Sequence, residues 1–127
     1  MTDIDAIKKQ LFQFRDDRNW RQFHTLKNLI ISLNLESAEL LELTQWKSDE
    51  QLATLKQDEK FRRALGEECA DVFLYLLLIA EEGGIDLLAA AQEKIAMNGE
   101  RYPVEQAYGS AEKYTELKSK ARIKDAQ

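Results

Sequence analysis

Four carboxylates stand out in this 127-residue chain because of where they fall in its predicted helices. Glu36 and Glu39 are three residues apart, as are Glu68 and Asp71, so each pair projects from nearly one helix face. Glu36 continues one apolar stripe and Glu68 falls within another. The stripes consist of Leu29, Leu33, Leu40 and Leu43, and of Leu65, Val72, Tyr75 and Ile79. Two acidic pairs therefore interrupt faces that are expected to point at the core.

This arrangement needs something to stabilise it. Two carboxylates about 5 Å apart repel by about 3 kcal/mol at an effective dielectric constant of about 20, and burial adds several kcal/mol for each unpaired ion. Protonation, pairing with Lys or Arg, or a bound cation would relieve that cost. No basic residue lies on either stripe near these positions, so a divalent cation is the simplest solution.

The donor types narrow the choice of metal. All four groups are hard oxygen donors, which suit Mg²⁺ or Mn²⁺ better than zinc or copper. A di-iron bundle would use Glu-x-x-His pairs, and His24 is the only histidine. An alternative stays open, because acidic pairs are common on solvated helix faces and Glu42 and Glu67 are close enough in sequence to be ligands instead. If the acidic pairs instead form a solvated docking surface, the chain would be a non-enzymatic helical interaction module.

Two long helices are predicted to carry the acidic pairs. Thr25 can cap the first of them, which is expected to run to about Trp46. The second is expected to begin near Glu59 and to end at Gly83 and Gly84. Its central run, VFLYLLLIA, is apolar nearly all round, which predicts the most buried element of the protein and burial by a second subunit.

The flanking segments predict two further helices. Ile4, Ile7, Leu11 and Phe14 recur every three or four residues after an N-cap at Thr2 or Asp3, and a loop is expected at RDDRNW. Asp86 is expected to cap a helix that runs to about Asn98 and is closed by Gly99 and Pro103. The stretch from Lys47 to Lys60 is expected to hold a short helix or a mobile connection, and residues beyond Gly109 a surface helix and a frayed tail. The predicted fold class is an all-α, four-helix-bundle-like domain.

Composition excludes several classes of protein. Hydrophobic residues make up 44% and charged residues 32%, which is typical of a soluble globular chain. The net charge is −5 and no Lys/Arg-rich block occurs, which argues against nucleic-acid binding. Cys69 is the only cysteine, so neither an internal disulfide nor a thiolate zinc site is available. No apolar run is long enough to span a membrane and the N-terminus lacks a signal-peptide pattern, so a cytoplasmic location is expected.

Several motifs, taken in order, resemble the all-α nucleotide pyrophosphohydrolases of the MazG type. They are NWRQFHTLKNL, LNLESAELLELTQW, GEECADVFLYLLLIAEEGGIDL, KIAMNGERYP and the late KYTEL. The chain is most similar to the dCTP pyrophosphatase branch, over about residues 4 to 117. A single domain is accordingly expected over residues 1–117, with a flexible tail over residues 118–127.

The resemblance implies a reaction and a set of metal ligands. Glu36, Glu39, Glu68 and Asp71 would hold one or more Mg²⁺ ions, or Mn²⁺, on a nucleoside triphosphate. Water would attack the α-phosphorus and release pyrophosphate and a nucleoside monophosphate, with Glu39 chosen as the residue that activates the water. The substrate is expected to be dCTP or a modified cytosine nucleotide, in control or sanitation of the nucleotide pool. A related activity on dUTP or on a phosphoribosyl-linked nucleotide is the alternative.

The resemblance also implies a substrate-binding set and an assembly. The expected substrate-binding residues are Trp20, Phe23, His24, Trp46, Tyr75, Lys94, Asn98 and Arg101. The two tryptophans would surround the base, Phe23 and His24 would lie beside the nucleotide, and Tyr75 could hydrogen-bond the sugar or phosphate. The last three residues would approach the phosphates. Family members form dimers or tetramers with active sites near subunit interfaces, so a homotetramer is expected.

Overall fold

The structure, a computed structural model, describes residues 2–109, 119, 122 and 123. Within this part of the chain the secondary structure is helical, with no strand. The helices are α1 (Asp3–Asp17), a 3₁₀ turn (Arg21–Phe23), α2 (Leu26–Glu42), α3 (Asp49–Leu55), α4 (Glu59–Gly83), α5 (Leu87–Arg101) and α6 (Val104–Ala107). The chain divides into two compact units, residues 1–85 and residues 86–127. The first unit holds α1 to α4, and the second holds α5 and α6.

Short polar side chains cap the main helices, and the sequence predicts the caps of α1, α2 and α5. Thr2, Thr25, Asp58 and Asp86 each accept a hydrogen bond from a backbone N–H in the first turn of α1, α2, α4 and α5. Gly84 ends α4 in the left-handed conformation, at φ 65°. The connection from Lys47 to Lys60 holds α3, which Ser48 caps. The short-helix alternative is therefore the correct one for this segment.

Three predicted boundaries are wrong. Helix α1 continues through Asp17, into the segment predicted as a loop, and α2 ends at Glu42 rather than near Trp46. Helix α5 passes through Gly99 and ends at Arg101, because glycine ends a helix only when its backbone leaves the helical conformation. The charged residues after Phe14 likewise contain no helix breaker.

The core of the first unit lies where α2 packs against α4. Leu29 of α2 is 2% exposed, and Leu77, Leu78 and Ala80 of α4 are also buried. Burying a leucine side chain contributes about 2 kcal/mol, so these contacts hold the two acid-bearing helices side by side. The rest of VFLYLLLIA is only half-buried within one chain, so the apolar run is partly covered rather than enclosed.

Two predictions concern the end of the chain. The surface helix and tail expected beyond Gly109 fall almost wholly outside the described residues, and the single domain expected over residues 1–117 stays a prediction.

No helix in the described part of the chain is long and apolar enough to cross a membrane.

Candidate active site

Three of the four predicted carboxylates converge in the first unit. Glu36 and Glu39 of α2 and Glu68 of α4 each offer an oxygen, and these oxygens lie within 4.8 Å of one another. The packing of α2 on α4 brings the two helices' carboxylates together, and the three-residue spacing keeps Glu36 and Glu39 on one side of α2. We call these three residues the acidic cluster. Asp71 lies one turn beyond Glu68 on α4, outside the group of three.

Burial and mutual repulsion both disfavour the charged forms in the acidic cluster. Burial raises the pKa of Glu36 to about 7, helped by a hydrogen bond with Glu39 and by the charges of Glu39, Asp71 and Glu68. Burial also raises the pKa of Glu68, followed by a hydrogen bond with Glu39 and by the charges of Glu39, Asp71 and Glu67. Glu39 and Asp71 therefore each act on both Glu36 and Glu68.

The acidic cluster fits a hard divalent cation. Oε2 of Glu36 and Oε2 of Glu68 are buried and have no hydrogen-bond partner. Within the described residues, the ion pairs join Arg15 to Asp16 and Arg63 to Glu67, so no basic side chain neutralises the cluster. Unpaired buried carboxylate oxygens are costly, and Mg²⁺ or Mn²⁺ would satisfy them with the ligand type that it prefers.

A cavity of about 480 Å³ lies next to the acidic cluster. Asp71, Tyr75 and other residues of α4 form one wall, α1 forms the other, and Trp20 and His24 complete the lining. Asp71 thus belongs to the surroundings of the acidic cluster and to the cavity at once. Trp20 is 43% exposed and packs edge-on against Phe14, with ring centroids 5.7 Å apart. An open aromatic face is suited to stacking on a planar ring.

His24 and Arg15 bring nitrogen atoms to the cavity lining. Burial lowers the pKa of His24, with a further lowering by the positive charge of Arg15, while Glu82 acts in the opposite direction. Nδ1 of His24 is buried without a hydrogen-bond partner. Arg15 is only 4% exposed and brings the N–H donors of a guanidinium to the same cavity. The cavity lining therefore offers an unpartnered imidazole nitrogen and a guanidinium.

Two predicted aromatic residues lie outside this cavity. Phe23 is 61% exposed. Trp46 is 92% exposed and lines a separate shallow depression with Gln45, Lys47, Gln51, Thr54 and Leu55. Its backbone is left-handed, at φ 65°, a conformation that costs a non-glycine residue about 1–2 kcal/mol. One chain thus brings together Trp20, His24, Tyr75 and Asp71, but neither Phe23 nor Trp46.

The three predicted phosphate-binding residues lie in the second unit. Lys94, Asn98 and Arg101 are spaced four and three residues apart on α5, so they share one face of that helix. Lys94 is exposed, and Asn98 and Arg101 are half-buried. Their part in substrate binding stays a prediction.

Sequence reasoning missed the contribution of α1. It interpreted Ile7, Leu11 and Phe14 only as core, and it did not select Arg15 or Gln10, which also line the cavity. Arg15 was detectable, since it lies four residues after Leu11 on the apolar side of α1. This is the same signal, a charge within an apolar stripe, that identified Glu36 and Glu68.

Known proteins resemble the chain in sequence and in fold. A family model described as MazG-like matches residues 31–117. Several relatives carry the name dCTP pyrophosphatase 1. The rat protein is 41% identical over 114 residues, which are 90% of this chain and 67% of the relative. The human protein is 39% identical over 114 residues, which are also 90% of this chain and 67% of the relative.

A solved structure supports the same relationship. It is a pyrophosphatase from Archaeoglobus fulgidus with a TM-score of 0.73 and 36% sequence identity, covering 81% of this chain and 94% of the other. On the family model and the similarity to curated relatives together, this chain belongs to the MazG-like family.

Proposed function

We propose that this protein is a magnesium-dependent enzyme that hydrolyses nucleoside triphosphates, preferentially dCTP, to the nucleoside monophosphate and pyrophosphate. The broader activity follows from its relatives: the chain is a nucleoside triphosphate pyrophosphohydrolase, given its similarity to proteins named dCTP pyrophosphatase 1 and its structural likeness to a pyrophosphatase. The same relatives argue against the non-enzymatic docking module. The preference for dCTP is supported by the relatives' name.

One observation carries the metal dependence. Glu36, Glu39 and Glu68 converge within 4.8 Å, and two of their buried oxygens lack any partner. A bound Mg²⁺ would neutralise phosphate oxygens and help to generate the nucleophile. The acidic cluster would hold the metal together with Asp71, which lines the adjoining cavity. Mn²⁺ would suit the same oxygen donors.

We assign each of the remaining residues to the attacking water or to one part of the nucleotide. Glu39 offers an oxygen within 4.8 Å of those of both Glu36 and Glu68, and we assign it the orientation and deprotonation of the attacking water. Water attacks the α-phosphorus and pyrophosphate leaves. Trp20 stacks on the base, His24 lies beside the nucleotide, and Tyr75 hydrogen-bonds the sugar or the phosphate. Lys94, Asn98 and Arg101 approach the phosphates.

Assembly completes the site in this proposal. Phe23 and Trp46 are exposed in one chain, so their predicted contacts with the nucleotide require the neighbouring subunit of a homo-oligomer, preferably a tetramer. The strained and almost fully exposed Trp46 is consistent with a residue whose contacts come from another copy. A cytoplasmic enzyme of this kind would limit or sanitise the nucleotide pool.

Product analysis with separate substrates tests the chemistry. The purified protein is incubated with each of the four dNTPs, with dUTP and with a phosphoribosyl-linked nucleotide, in Mg²⁺. We expect pyrophosphate and the monophosphate, most rapidly from dCTP. Release of inorganic phosphate instead would refute the attack on the α-phosphorus, and faster turnover of dUTP or of the phosphoribosyl-linked nucleotide would replace dCTP as the substrate.

A variant of Asp71 links this turnover to the site. Asp71→Asn removes one charge beside the acidic cluster and should lower kcat/KM by about a hundredfold or more, since metal-assisted charge stabilisation contributes several kcal/mol. Asp49→Asn makes the same change at an exposed position in the first turn of α3 and should leave kcat/KM unchanged. Equal activity of both variants would refute the role of Asp71.

A further inference from the structure

Arg15 is a buried cation with unused hydrogen-bonding capacity. It lies in the last turn of α1, lines the cavity and is 4% exposed. Its Nε donates to Oδ1 of Asp16 at 2.8 Å, and a terminal nitrogen donates to Oδ2 at 3.2 Å. A guanidinium has five N–H donors, and the described part of the chain engages no others. Phe12 covers the group from one side, 4.9 Å from its ring centroid. The N–H donors that Asp16 does not engage are available to acceptor atoms of a ligand in the cavity.

Within the cavity, the charge of Arg15 acts on His24 and not on Glu36 or Glu68 of the acidic cluster. His24 is influenced by the charges of both Arg15 and Glu82. Glu82 comes eleven residues after Asp71, which is about 16 Å along the axis of α4. The charge of Asp71 acts on Glu36 and Glu68, whereas the charge of Arg15 is not among those that act on these two carboxylates. With the triphosphate held at the acidic cluster, we assign the base, and not a phosphate, to the part of the cavity that Arg15 and His24 line.

The cavity walls near Arg15 suit a planar, aromatic group. Phe14 and Trp20 meet edge to face, with their ring planes at 79°, and Leu74 and Leu78 of α4 contribute apolar surface. A phosphate would find one cation there and otherwise apolar walls. A base would find surface for stacking and polar groups for its edge.

The polar groups match one pyrimidine better than the others. Two parallel N–H donors of a guanidinium require two adjacent acceptors. Cytosine offers N3 and O2 as such a pair. Uracil and thymine instead carry a hydrogen on N3, which would face an N–H of the guanidinium and repel it. Next to N3, cytosine has an exocyclic amine, and the buried, unpartnered Nδ1 of His24 can accept from it when the ring is neutral. Guanine has an adjacent acceptor pair, N7 and O6, but no amine beside it.

We propose that Arg15 is the residue that determines base specificity, by donating two hydrogen bonds to N3 and O2 of cytosine. This inference rests on the proposed function, since it takes the nucleotide's phosphates to lie at the acidic cluster. Asp16 holds the guanidinium in place from the other side, through its two hydrogen bonds. His24 completes recognition of the donor–acceptor–acceptor edge.

Binding of products to the unmodified protein tests the proposal without any turnover. The full chain is titrated calorimetrically in Mg²⁺ with dCMP, dUMP, dGMP and 3-deaza-dCMP, in which a C–H replaces the N3 acceptor. We expect dCMP to bind about 10- to 100-fold more tightly than each of the others, because each leaves one of the recognising groups unpaired or opposed. Binding of dUMP, dGMP or the deaza analogue as tight as that of dCMP would overturn the proposal.

A substitution assigns the selectivity to Arg15. Arg15→Lys keeps the charge but loses the two-pronged donor geometry, so the affinity for dCMP should fall about 10- to 100-fold while that for dUMP stays within about threefold. The matched control is Arg63→Lys, at a side chain that is 84% exposed. Circular dichroism checks that each variant is folded. A folded Arg15→Lys variant that keeps the preference for dCMP would overturn the proposal. If the variant does not fold, the analogue series on the unmodified protein decides.

The proposed chemistry has a separate readout. Pyrophosphate release from dCTP by the unmodified protein reports the function, and the ratio of dCMP to dUMP affinity reports Arg15. Selective binding without pyrophosphate release would refute the function and support the role of Arg15. Release of pyrophosphate with no preference for dCMP would support the function and refute the role of Arg15.

Discussion

At the scale of single residues, the carboxylates of the acidic cluster lower the stability of the fold, and this cost points to their function. Glu36 and Glu68 place carboxylates in half-buried positions where both burial and repulsion raise their pKa values. Glu39 adds a third charge within 4.8 Å. A chain selected only for stability would gain from apolar side chains on the stripes that these residues interrupt. The cost is offset if a divalent cation is bound, which makes metal-dependent stability the direct consequence to measure.

Divalent metal should stabilise the folded protein through this cluster. With Mg²⁺ or Mn²⁺ at about 100 times its Kd, the gain is about 2.7 kcal/mol, which corresponds to a rise in Tm of several degrees. Glu68→Gln should remove most of this rise, because it deletes one ligand charge. Glu67→Gln, at a neighbouring side chain that is 70% exposed, should keep it. Thermal melts at matched protein concentration, with and without metal, provide the measurement. An identical rise in both variants would contradict the assignment of Glu68.

The stacking role of Trp20 gives a second prediction. Trp20→Ala removes the aromatic face in the cavity and should raise KM for dCTP about ten- to a hundredfold, as expected for loss of one base–aromatic stack. Trp20→Phe retains a ring and should recover most of that affinity. Steady-state kinetics on the three proteins separate the cases. A KM unchanged in Trp20→Ala would place the base elsewhere.

At the scale of elements, local chemistry predicts where helices begin better than where they end. Thr25 and Asp86 each accept from a backbone N–H three residues on, so a short-range rule identifies them. Gly84 and Gly99 show the difficulty at the other end. Both glycines resemble helix stops in the sequence, but only Gly84 takes a positive φ, so the residue type alone does not decide where a helix ends.

The end of α4 can be tested with a matched pair of substitutions. Gly84→Ala forces a Cβ into the left-handed conformation at φ 65° and should destabilise the protein by about 1 kcal/mol. Gly66→Ala, in the interior of the same helix, adds a Cβ that meets nothing within 4 Å and should stabilise it by about 0.5–1 kcal/mol. Denaturant unfolding of both variants measures the two free energies. Destabilisation by Gly66→Ala and none by Gly84→Ala would contradict this account of the helix.

At the scale of the whole molecule, the pairing of helices is what the sequence leaves open. The spacing of Glu36 and Glu68 indicates that each interrupts an apolar face, but not that their oxygens converge, since this depends on how α2 lies against α4. The cavity is even harder to predict from the sequence, because α1 forms one of its walls through Arg15 and Phe14. Family resemblance supplied Trp20, His24 and Tyr75 at that cavity. No periodic pattern relates residues on three separate segments.

The exposed side of α2 gives a last prediction. Opposite the stripe that packs on α4, Ile31 is 49% and Leu35 62% exposed, and such apolar surface indicates a partner. We expect light scattering to give several times the 14.7 kDa chain mass, four times for the tetramer. Leu35→Glu should lower that mass, since it would bury an unpaired charge. Ala53→Glu, at an exposed site on α3, should not. A mass of one chain for the unmodified protein at micromolar concentration would contradict the proposed assembly, and with it the placement of Trp46 against a neighbouring subunit's nucleotide.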